Sequence, residues 1–172
     1  MPAERGWITR FDPDFIYADP SKGTKGVPSV DVLHLHHAVW LVNGSPIWFA
    51  GEEKSVFELP TGYGWKSEPG DRWIVNHMIH DLYPKAADVY ITWDIDFVPA
   101  TSAGTRIKEV FPLWMDVQNG SAYPVFDVPA GSGLGGVYTY PTDAVNPYGS
   151  GAPKNEFTIP VRGALVATAG HL

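Results

Sequence analysis

Ala87-Asp88-Val89-Tyr90-Ile91-Thr92-Trp93-Asp94-Ile95-Asp96-Phe97-Val98 alternates without a break. Val89, Ile91, Trp93, Ile95 and Phe97 fall on one side of an extended chain; Asp88, Tyr90, Thr92, Asp94 and Asp96 fall on the other. Side chains of a strand point to its two faces in turn. Period two with one polar face therefore describes an antiparallel strand, dry on one side and solvated on the other.

The rest of the chain reads the same way. Its 18 glycines and 16 prolines are spread over the whole length, leaving few windows of about 12 residues for an amphipathic helix. The apolar segments between them are short and rich in Val, Ile, Trp, Tyr and Phe, the residues that suit a pleated, half-buried surface. Residues 6–18 read as a first strand, with Ile8, Phe11 and Phe15 as core candidates, and 19–29 as a loop. Residues 30–42 read as a long central strand, followed by a turn at Asn43-Gly44 and a strand at 47–51. Asn-Gly favours the positive φ angles of a tight hairpin. Residues 51–71 read mostly as loop, with one short strand near 55–59. Further strands are expected at 72–82, 107–117, 123–128, 137–140 and 156–168.

Short, evenly spaced strands, about nine or ten of them, with little or no helix, define an all-β fold. The expected architecture is an antiparallel, jelly-roll-like β-sandwich. Residues 1–155 are assigned to it; 156–172 read as its closing strand, or as the start of a second domain.

Composition excludes several functions. Hydrophobic residues make up 44% of 172, enough for a core in one domain. The net charge is −7, and no basic cluster offers a phosphate backbone a landing site, so nucleic acid is not an expected partner. No apolar run approaches the roughly 20 residues that span a bilayer, and the first six residues do not resemble a signal segment. There is no cysteine, which removes disulfides, thiolate metal sites and cysteine nucleophiles.

Chemistry gathers at the histidines. Val32-Leu33-His34-Leu35-His36-His37-Ala38-Val39-Trp40 places three of the six histidines within four positions of an apolar run. Trp73-Ile74-Val75-Asn76-His77-Met78-Ile79-His80 places two more in another. An imidazole enters an apolar setting only when its nitrogens find partners, and five in two strands raise the question of a shared metal ion. Regular alternation pairs His34 with His36 and turns His37 away. A local bulge would instead let His36 and His37 reach one point. In the second segment, read as a strand, His80 lines up with Met78 and Asn76, and His77 lies opposite. Three imidazoles suit copper, zinc or iron.

These stretches resemble the first domain of the copper type II, ascorbate-dependent monooxygenases, the group of peptidylglycine α-hydroxylating monooxygenase and dopamine β-monooxygenase, in the form of a bacterial relative. The resemblance is carried by His36-His37 before an apolar stretch and by Trp73–His80 with its closing histidine. It continues through Ala87–Ile91 into Asp94–Pro99, and through Ile159-Pro160-Val161 to Gly170-His171-Leu172. It implies two jelly-roll domains with one copper each. By motif, the first copper would be held by His36, His37 and His80; His34 and His77 are further candidates, to substitute for a ligand or orient one, and His171 stands where the copper-binding His-x-His motif of the second domain would begin. It implies copper as the cofactor, zinc being the alternative, and ascorbate or another one-electron reductant as co-substrate. It also implies a small-molecule or peptide substrate, an extracytoplasmic setting, and a second copper domain beyond Leu172. Two departures stand against it: the animal enzymes are rich in disulfides, and only one of the two copper domains is represented. A first domain alone would store and pass an electron without hydroxylating.

Other features carry less. Gly131–Gly136 looks like a phosphate-cradling loop but precedes an expected strand and lacks the lysine of a P-loop. Asp94 and Asp96 read as a solvated face. Trp40, Trp48, Trp73, Trp93 and Trp114 read as core. Met78 and Met115 have the chemistry of soft ligands, but methionines at such places are more often gap fillers. The alternatives to a copper domain are a metal-free jelly-roll module for interaction or carbohydrate binding, and a stand-alone mononuclear metalloenzyme.

Overall fold

β1 (Gly6–Tyr17) and β2 (Leu33–Val42) supply the core, and both achieve this by breaking their own alternation. The structure is a computed structural model. It describes residues 2–51, 55–83, 85–102, 106–114, 131–137, 139, 142 and 159–169. The remaining strands are β3 (Ser45–Gly51), β4 (Phe57–Glu58), β5 (Tyr63–Ser67), β6 (Trp73–Asp81), β7 (Val89–Pro99) and β8 (Lys108–Glu109). The described residues thus form eight strands and one short 3₁₀ turn at Leu134–Gly136. The fold is an all-β sandwich of two packed sheets, as the alternation predicts. Among the described residues no helix is long and apolar enough to cross a membrane.

In the first sheet β1 pairs with β7 along its whole length, from Gly6↔Pro99 to Tyr17↔Val89. Its other edge is shared by β5 and β4, both antiparallel, and β8 adds to β5 in parallel. The second sheet runs β3-β2-β6, all antiparallel. Asn43-Gly44 joins β2 to β3 with φ of 52° and 85°, the two positive angles of the tight hairpin turn that the dipeptide favours.

The core joins the two sheets. Ile8, Phe11 and Phe15 come from β1, Leu33, Leu35, Ala38 and Trp40 from β2, and Trp48 and Ala50 from β3. Phe11 lies with its ring centroid 5.0 Å from Trp48, stacked, and 5.0 Å from Trp40, edge-on. The β7 residues that alternate toward the core, Val89, Ile91, Trp93, Ile95 and Phe97, pack against it, while Tyr90 is exposed.

Buried residues on β1 step by three between Ile8 and Phe11, and on β2 between Leu35 and Ala38. The pairing shifts at the same places, between Ile8 and Arg10 against β7 and between Leu35 and His37 against β6. One extra residue in a strand, a β-bulge, reverses which parity faces inward. Thr9 and His36 are those residues.

The loop expected over 51–71 contains a strand besides β4, namely β5. Glycine makes it possible: a Cβ on Gly64 would stand 2.7 Å from the Trp7 Cβ, so only a bare backbone lies this close to β1. Of the strand expected at 107–117, the described residues place only Lys108–Glu109 in a strand, with 110–114 irregular; 115–117 lie outside the described residues. Residues 159–168 are irregular where a closing strand was expected, and Val137 and Thr139 are not in a strand. Pro112 and Pro160 interrupt two of these segments, and proline has no N–H for a ladder. The strand expected at 123–128 falls outside the described residues.

By internal contacts the chain divides into two units, Met1–Pro112 with Leu165–Leu172, and Leu113–Ala164. Both sheets belong to the first. In the second, the Gly131 N–H donates to the Gly136 carbonyl at 2.8 Å, and the Ser132 and Thr139 hydroxyls meet at 2.8 Å. Trp114 is 45% exposed and irregular, not part of a strand core.

Candidate metal centre

Strand pairing decides which histidines meet. His34 stands directly across from His80, and Leu35 from Ile79; the next pair is His37 with Met78. His36 is the extra residue between them. Residues 36 and 37 therefore oppose one residue of β6, and both emerge on the face that points away from the core. Both are half-buried, while their neighbours Leu35 and Ala38 are buried. The bulge is one of the geometries the sequence left open.

The rings form a row. The His36 Nδ1 lies 2.9 Å from the His37 Nδ1, one nitrogen donating and the other accepting. The ring centroids of His36 and His37 are 5.2 Å apart, those of His36 and His80 4.5 Å, and those of His34 and His80 5.1 Å. His34 is buried, and its Nδ1 lies 2.5 Å from the Val30 carbonyl oxygen. A carbonyl only accepts, so Nδ1 of His34 carries the hydrogen and the ring is held in one orientation. His77 pairs with Ala38 and so falls on the opposite face of the sheet from His80 and Met78. It is not a member of the row. His171 lies outside the described residues.

The chemistry of the face is uniform. The three strands hold one carboxylate, Asp81, which pairs with Leu33 and so faces away from the row. What remains beside the imidazoles is apolar or neutral: Val39 and Leu41 on β2, Ile74, Asn76 and Met78 on β6. Calcium and magnesium require oxygen cages, so nitrogen donors on a face with no carboxylate among the described residues of the three strands suit copper or zinc.

The fit to an ion is partial. The 2.9 Å between the His36 and His37 Nδ1 atoms is an N–H···N hydrogen-bond distance, so one of the two nitrogens carries a hydrogen and would have to lose it before both could bind one ion. Among the described residues no group of three or more His, Asp or Glu side chains stands arranged to hold an ion. His36 and His37 are joined to each other and the His80 ring lies beside His36, its centroid 4.5 Å away, but the three are not assembled about one point.

Charge pairs lie elsewhere. The Arg5 Nε donates to Glu68 at 2.6 Å and the Lys66 Nζ approaches the same carboxylate at 2.9 Å. Lys66 first, then Arg5, holds the Glu68 carboxyl below its ordinary value. Ser21 donates to Asp19 from its hydroxyl and its backbone N–H, which lowers that carboxyl too. The Asp94 and Asp96 side chains are exposed on β7, as a solvated face requires.

Comparison with family models, curated proteins and solved structures returned no match for this chain.

Proposed function

We propose that the outer face of β2 and β6 is a copper site and that the chain is a copper-binding β-sandwich domain of the electron-transfer kind. One observation carries the reading: the bulge at His36 turns two adjacent histidines to the same face, with Nδ1 atoms 2.9 Å apart. A bulge is retained where it re-aims a side chain, and here it re-aims an imidazole beside another.

Copper at this place supplies a one-electron Cu(II)/Cu(I) couple, with ascorbate or a similar reductant as the electron source. The chain's own part is to hold the donors. The bulge sets the spacing of His36 and His37, and β6 brings His80 alongside. His34, anchored on the Val30 carbonyl, packs its ring edge-on against His80 and limits the orientations that ring adopts.

The test is Cu(II) titration followed by electron paramagnetic resonance. A nitrogen-rich tetragonal signal at one equivalent is expected, lost in the His36→Ala/His80→Ala double variant. A chain that takes up no copper at micromolar concentration, or a double variant that binds as well as the parent, refutes the reading.

A second reading is favoured by the His36–His37 hydrogen bond and by the lack of an assembled three-ligand group. It is a metal-free module in which the imidazoles satisfy one another. It predicts equal melting temperatures with copper and with EDTA, whereas an ion bound only by the native state raises the melting temperature.

A further inference from the structure

We propose that the open edge of β6 is an interface between two copies of this chain, which pair β6 with β6 antiparallel about a two-fold axis at Asn76; this holds whether or not the histidine row takes a metal. An edge strand presents a row of unpaired N–H and C=O groups, a template for another strand. Among the described residues β6 pairs with β2 alone. The extra residue of that pairing belongs to β2, so the nine residues of β6 run unbroken. The other edges are guarded in the ways proteins use. β4 and β8 are two residues long. β3 carries Pro46, which has no N–H to donate, and a register shift against β2 between Trp40 and Leu41. β7 pairs with β1 alone among the described residues, but Asp94 and Asp96 stand on it. β6 has no proline, and no Asp, Glu, Lys or Arg from Trp73 to His80.

Self-complementarity selects a second copy as the occupant. A two-fold axis sets residue i against j and j against i, and directly opposed residues share a face of the sheet. With Asn76 on the axis, Trp73 stands opposite Ile79, Val75 opposite His77, and Ile74 opposite Met78. Trp73, Val75 and Ile79 continue the inner face, where they already pack against the core. Ile74, 42% exposed, and Met78, 44% exposed, form an apolar pair on the outer face. Asn76 meets its own copy, and a side-chain amide both donates and accepts. No carboxylate, ammonium or guanidinium enters these seven pairs, although each copy carries a net charge of −7. β7 fails the same test. An axis at Asp94, Ile95 or Asp96 sets carboxylate against carboxylate, and one at Trp93 leaves the two Asp94 side chains diagonal neighbours, on a face where Asp12 already stands across from Asp94. Seven opposed pairs exchange about six to eight main-chain hydrogen bonds, near the roughly ten of an ordinary interface. The product is one six-stranded sheet, β3-β2-β6 of one copy continued by β6-β2-β3 of the other.

The test uses the full chain, which has no cysteine of its own. Sedimentation equilibrium from micromolar to submillimolar concentration is expected to show a reversible dimer of twice the 18.8 kDa chain mass. Asn76→Lys, at an exposed position, sets two ammonium groups against each other on the axis. It is expected to weaken dimerisation at least about tenfold and to leave the circular dichroism spectrum unchanged. Under mild oxidation Asn76→Cys is expected to give a disulfide-linked dimer, because directly opposed Cα atoms lie about 4.5–5.5 Å apart, within the range a disulfide spans. Ile74→Cys is expected to give none, since each introduced thiol faces the second copy's Met78, about 13 Å along the strand from its twin. A parent that stays monomeric at submillimolar concentration overturns the proposal, whether another protein or the chain's own residues take the edge. A dimer that survives Asn76→Lys unweakened also overturns it, as does one in which Ile74→Cys cross-links as readily as Asn76→Cys.

Discussion

Deletion of His36 is expected to leave the sandwich folded, and deletion of Val39, three residues along the same strand, is expected to unfold it. His36 has no partner of its own in the register with β6: Leu35 pairs with Ile79 and His37 with Met78. Removing it joins two segments already in register and leaves Leu35 and Ala38 facing inward in regular alternation. The loss is one half-buried ring and the local bend, within about 2 kcal/mol, the ordinary range for a single change. Val39 separates Ala38 and Trp40, both fully buried. Without it these become neighbours: either Trp40 turns to water, or the bulge is used up, Ala38 turns outward and the His37 imidazole is driven into the core; the first case sets the scale. A tryptophan buries about 150–250 Å², which at about 25 cal/mol per Å² is about 4–6 kcal/mol. If Trp40 leaves, Val42 leaves with it by parity, adding about 1.5 kcal/mol or more. The total matches the 5–15 kcal/mol stability typical of a domain. Urea unfolding followed by tryptophan fluorescence reads both proteins. The reasoning is refuted if the His36 deletion loses as much stability as the Val39 deletion, or if the Val39 deletion folds normally.

Phe11→Ala removes a fully buried ring packed against Trp40 and Trp48, and chemical denaturation is expected to show a loss of about 3–5 kcal/mol. Asn43→Ala is expected to cost about 1–2 kcal/mol in the same assay, because position 43 holds φ at 52°, a region unfavourable to alanine. Its amide also donates to Asp71 at 2.8 Å and accepts from the Arg72 N–H at 3.0 Å. Glu68 gives a pH signature. Its carboxyl is held below the ordinary 4.5 by Lys66 and Arg5, so the stabilisation is complete above that value and is lost as pH falls through the lowered one. Melting temperatures measured from pH 6 to pH 2.5 are expected to fall less steeply in Glu68→Gln than in the parent; parallel curves would show that the cluster does not contribute.

The amino-acid pattern by itself determined the fold class, because strand periodicity is local. The alternation at 87–98, the Asn43-Gly44 turn and the absence of long helical windows each depend only on neighbours along the chain, and each reappears as β7, the hairpin and an all-β sandwich. Even the choice of Ile8, Phe11 and Phe15 as core candidates held the trace of a bulge, since a step of three fits no regular strand. The histidine set was legible as residue types but not as geometry. Whether His37 joins His36 or turns from it depends on an extra residue opposite β6, and an extra residue exists only relative to a partner's register. Tertiary structure alone decided that His77 lies on the other face, that His34 is anchored to Val30, and that Met78 stands opposite the adjacent pair. It also placed β5 against β1, which the glycine-rich pattern hides, because the close approach that glycine permits appears only once two strands are side by side.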